Sequence, residues 1–149
     1  MTRGAFFDAI KQAADRAGVF DGVRTEGEHL ECRAEGSAEP AFYRVFFEDG
    51  AGWVSLVTKD RWLSESIEAD LMHTGDSLEE LLEEELADQG FEGATPGFEH
   101  FRSEDMLFTF RSKIPGVAEP IDESMVEPAT QMLLAYEACF RQLGDMSGE

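Results

Sequence analysis

Apolar residues recur near the start of the chain at three- and four-residue spacing: Phe6, Ile10, Ala13, Ala14 and Ala17, with Asp8, Lys11, Gln12 and Asp15 between them. That period lays one apolar stripe along a helix, and Gly18 supplies its stop. The period then changes to two. Leu30, Cys32 and Ala34 alternate with Glu31 and Arg33, the pattern of a half-buried strand, before Gly36-Ser37-Ala38-Glu39-Pro40 turns the chain. Ala41 to Glu48 and Trp53 to Thr58 are rich in aromatic and β-branched residues. They flank Asp49-Gly50-Ala51-Gly52, whose Asp-Gly pair suits the positive φ of a hairpin turn.

Downstream, Leu63, Ile67 and Leu71 fit a helix over Arg61 to His73, while the same residues with Ala69 also fit one face of a strand; the helix is favoured. Asp76 has the position of an N-cap for a helix through Leu78, Leu81, Leu82 and Leu86, ending near Gly90. Phe98 to Phe101 and Met106 to Lys113 bracket Ser103-Glu104-Asp105 as a second hairpin. Met106, Phe108 and Phe110 share one face of it, and Ile114-Pro115-Gly116 is expected to end it. Ser124 and Glu127 have capping-box spacing before a stripe of Met125, Ala129, Met132, Tyr136, Phe140 and Leu143, although Pro128 moves the expected helix start toward Glu127. The expected architecture is α+β: an antiparallel sheet of about five strands with N-terminal, middle and C-terminal helices, in the order α-β-β-β-α-β-β-α. It occupies 1–143 as one domain, with 144–149 as a disordered tail.

Charge changes the picture most. The chain has 149 residues and a formal net charge of −20, and the segment from Asp60 to Glu92 holds twelve acids against the single base Arg61. Like charges at that density are solvated or matched by a basic partner, and they disfavour nucleic acid and anionic membrane surfaces. An apolar content of 42% over this length supports a core without disulfide or metal. Cys32 and Cys139 have no Cys-x-x-Cys spacing, which fits reduced thiols. The first residues lack the apolar core of a signal peptide, and no run is long enough to span a bilayer, so a cytoplasmic location is expected.

No spacing specifies a chemistry. Neither G-x-G-x-x-G nor a P-loop appears, and His29, His73 and His100 lack ligand spacing. No serine is set in a nucleophile motif. No catalytic residue, cofactor or metal ligand is therefore assigned. Cys32, beside Arg33, has an activated-thiol reading and a core-packing reading; core packing is the commoner fate of cysteine. Two surfaces remain. Glu79, Glu80, Glu83 and Glu84 form the acidic arc of the middle helix. On the strand Ala41 to Glu48, Tyr43, Val45 and Phe47 make one face while Phe42, Arg44 and Phe46 make the other. Two aromatics around an arginine form a binding patch if helices cover only one side of the sheet, and a second core face if they cover both.

The element order, small size and acidity resemble the type III secretion chaperones and the similarly folded YbjN-like bacterial sensory-transduction regulators. The residues that carry the resemblance are the Phe6/Ile10/Ala17 helix, the Phe42 to Val57 hairpin, the Leu78/Leu82/Leu86 helix, and the Met106 to Phe110 strand before the Met132/Tyr136/Phe140 helix. The extra element at Arg61 to His73 departs from that pattern. The resemblance implies a layer sandwich, often a homodimer, that holds an extended peptide of a partner protein against its sheet and has no enzymatic activity. The leading expectation is thus a non-enzymatic protein- or peptide-binding module, chaperone-like or regulatory, of a bacterial cytosol, with a basic partner as its electrostatic complement. Two alternatives stand beside it: an acidic nucleic-acid mimic that inhibits a basic DNA-binding protein, and an enzyme with no recognisable motif.

Overall fold

The computed structural model describes residues 1–26, 29–34, 41–58, 78–91, 99–102 and 108–145. Helix α1 (Arg3–Ala17) is followed by strands β1 (Phe20–Glu26), β2 (His29–Ala34), β3 (Ala41–Glu48) and β4 (Ala51–Thr58). Helix α2 (Leu78–Asp88), strands β5 (Glu99–Arg102) and β6 (Phe108–Ala118), a 3-10 turn (Glu123–Met125) and helix α3 (Val126–Asp145) complete the described chain. The strands form one antiparallel sheet in the order β1-β2-β3-β4-β6-β5. The α+β class and the N-terminal, middle and C-terminal helices are as the pattern predicts. The sheet has one strand more, β1. Its alternation is interrupted by an irregularity between Phe20 and Val23, and bulges are frequent where a sheet ends.

Helix α1 begins where the Thr2 hydroxyl accepts from the Ala5 N–H at 3.1 Å, and it ends at Gly18, whose N–H bonds Ala14 at φ 68°. Phe6, Phe7, Ile10 and Ala14 are its buried face. The predicted hairpin is present as a two-residue turn: Asp49 and Gly50 both have positive φ, 53° and 79°, and Glu48 pairs with Ala51. Positive φ at both central residues matches the right-handed twist of the flanking strands.

Three expectations are corrected. Strand β6 does not end at Ile114-Pro115-Gly116 but runs on to Ala118. Trp53 pairs with Lys113 and Ala51 with Ala118, so Ile114 to Val117 bulge opposite Gly52 alone. Pro115, which lacks an N–H, falls within that bulge, where the ladder is already broken. The closeness there demands glycine: a Cβ at Gly52 would lie 2.5 Å from Val117 Cγ1. At the C-terminal helix the cap is Asp122 rather than Ser124. Its carboxylate accepts from the Ser124 N–H at 2.8 Å and starts the 3-10 turn, which leaves Pro128 in the first turn of α3, where no amide donor is needed. Finally, α3 continues through Gly144 to Asp145. The expected turn at 36–40, the element over 61–73, the cap at Asp76 and residues 146–149 lie outside the described residues.

The core lies between the sheet and its helices. Leu30, Cys32, Ala41, Tyr43, Val45, Val54, Leu56 and Phe110 point inward and meet Phe6 and Ile10 of α1, Leu82 and Leu86 of α2, and Met132, Leu133, Tyr136 and Phe140 of α3. Helix α3 lies directly on β3, β4 and β6, α1 covers β1 and β2, and α2 packs on α3. Phe110 and Phe140 stand at 5.1 Å, Tyr136 and Phe140 at 5.2 Å, and the Tyr136 and Ser112 hydroxyls share a buried hydrogen bond of 2.7 Å. All three described helices therefore occupy one side of the sheet.

Candidate functional site

The residues pointing the other way are stacked by the strand register into rows that cross the sheet. The middle row reads Arg24, Glu31, Arg44, Ser55, Arg111 and Glu99 over β1, β2, β3, β4, β6 and β5. A neighbouring row reads Glu26, His29, Phe46, Trp53 and Lys113, and a third reads Arg33, Phe42, Val57 and Thr109. Directly opposed side chains in adjacent strands interact, so opposite charges in a row stabilise one another. A charged row thus runs between two rows that contain aromatics.

Glu31 anchors the charged row. It is 5% exposed, and its two carboxylate oxygens are shared between two guanidiniums: Oε2 accepts from Arg24 at 3.0 and 3.3 Å, Oε1 from Arg44 at 3.0 and 3.1 Å. Burial alone would raise its pKa, but the hydrogen bonds from Arg24 and Arg44 hold it below the usual carboxylate range. Glu26 also pairs with Arg24, at 2.8 Å. His29 Nε2 is buried and makes no hydrogen bond among the described residues; it lies 3.7 Å from Glu31 Oε1.

On the far side of the sheet Arg111 lies over Trp53, with its guanidinium carbon 4.3 Å from the ring centroid. Its Nη1 donates to Glu48 at 2.6 Å and its Nε to Glu99 at 3.1 Å, so two carboxylates hold it in place. Phe46 stacks parallel to the indole at 6.5 Å. Lys113 Nζ stands 5.5 Å from the same ring. Beside this stack opens a cleft of about 600 Å³, walled by Glu48 and Asp49 from the turn, Trp53 from β4, Arg111 and Lys113 from β6, and Glu99 from β5. Trp53 is 8% exposed, and its indole N–H is buried with no acceptor among the described residues.

Of the residues singled out from the sequence, Phe42, Arg44 and Phe46 do share the outward face, and all three are half-buried. Arg44 is spent on Glu31. Glu80, Glu83 and Glu84 are exposed on α2, which sits on the helical side, so the acidic arc and the aromatic face lie on opposite sides of the molecule. The side chain of Glu79 lies outside the described residues. Glu31, Trp53, Arg111 and Lys113 were not singled out, although the period of two that places Glu31 and Arg33, Trp53 and Ser55, and Arg111 and Lys113 each on one face of their strand was the signal available.

Titratable groups in the core are silenced by their surroundings. Burial pushes the thiols of Cys32 and Cys139 each up to about 12, so Cys32 takes the core-packing reading. Burial likewise raises the Tyr136 phenol. Among the described residues no group of three or more His, Cys, Asp or Glu side chains is placed to hold a metal ion, and no helix is long and apolar enough to cross a membrane. No protein-family model, curated protein or solved structure matches the chain.

Proposed function

We propose that this chain is a non-enzymatic binding module of a bacterial cytosol that holds an extended segment of a partner protein on the outward face of its sheet. One observation carries the reading: the described helices cover one side of the sheet, and the other presents the half-buried rings of Phe42 and Phe46 on either side of a row of charges. Aromatics and arginines in alternation are the composition of interface centres, where large rigid side chains supply area at low entropic cost. The arginines of the charged row are oriented in advance by Glu31, Glu48 and Glu99, so a partner meets a surface that is already organised. A buried carboxylate normally suggests acid-base chemistry. Glu31 instead has both oxygens engaged by guanidiniums, which suits an anchor for the face rather than a proton donor.

The second reading, a nucleic-acid mimic, draws on the exposed Glu80, Glu83 and Glu84. A comparison of variants separates the two. Partners captured from bacterial lysate by the wild type are compared with those captured by Phe42→Ser/Phe46→Ser and by Glu80→Lys/Glu83→Lys/Glu84→Lys, at low and high salt, with circular dichroism as a folding control. Loss of a salt-resistant partner in the phenylalanine variant alone supports the sheet face. Loss in the charge-reversal variant alone, with binding abolished by salt, supports the mimic.

A further inference from the structure

We draw no further inference here: the strongest candidate, the outward sheet face, whose order of charges from Arg24 to Glu99 would oppose unlike charges across a two-fold axis with a second copy, carries nothing because Ser55, Val57 and Thr109 at its centre are already buried and nothing among the described residues shows what covers them.

Discussion

Glu31 on β2 accepts two hydrogen bonds from Arg44 on β3, at 3.1 and 3.0 Å, across a directly opposed pair in the sheet register. Arg24 does the same from β1, so one carboxylate ties three strands together on the outward face. The pairing is buried at the acid and open at Arg24, which keeps two-thirds of its side chain in water. Arg24 stays largely hydrated and Arg44 partly so, while the carboxylate exchanges water for fixed donors.

Glu31→Gln is expected to destabilise the fold by about 2 kcal/mol, the range of hydrogen bonds to charged groups. Because the folded pKa lies below the unfolded value, this stabilisation is fully present above about pH 4.3 and is lost as pH falls through the folded value. Thermal melts from pH 7 to pH 3 check it. The gap between wild type and Glu31→Gln should close on the acid side; a gap constant across the series would refute the assignment.

Gly52→Ala places a methyl group against Val117, and overpacking of this kind costs about 1–3 kcal/mol. Urea titration should show a lower midpoint at unchanged slope. Gly52→Ala/Val117→Ala should recover part of the loss, because the closest clash is with Val117 Cγ1, while Val117 Cβ and the carbonyl oxygen at 3.1 and 3.2 Å remain.

Arg111→Gln removes the cation from the Trp53 ring and frees Glu48 and Glu99. The Trp53 contribution to fluorescence, isolated by comparison with Trp62→Phe, should move to the red as water reaches the indole, with a stability loss of about 1 kcal/mol. An unshifted spectrum would mean that other groups bury the ring.

Both thiols should resist a disulfide reagent in the native state. Cys32 and Cys139 are buried, and with each thiol raised to about 12 the thiolate is scarce at neutral pH. Two equivalents should react after guanidinium unfolding and none rapidly before it. A fast native equivalent would contradict the packing of whichever cysteine is identified.

Local periodicity and turn chemistry determined most of the elements. The stripes of Phe6, Ile10 and Ala14, of Leu82 and Leu86, and of Met132, Tyr136 and Phe140 each report a contact with the same core, the Asp49-Gly50 turn reports the positive φ its residues accept, and such patterns are set within a few residues. Tertiary structure decided what depends on residues distant in sequence. Strand β6 passes through Pro115 and Gly116 because Gly52 leaves room for the bulge. Glu31 is an anchor because register brings Arg24 and Arg44 to either side of it, and Trp53 becomes the wall of a cleft because Arg111 reaches Glu48 from another strand. Alternation along a strand says which side chains share a face, but only register says which of them touch, and charge pairing is decided by touch.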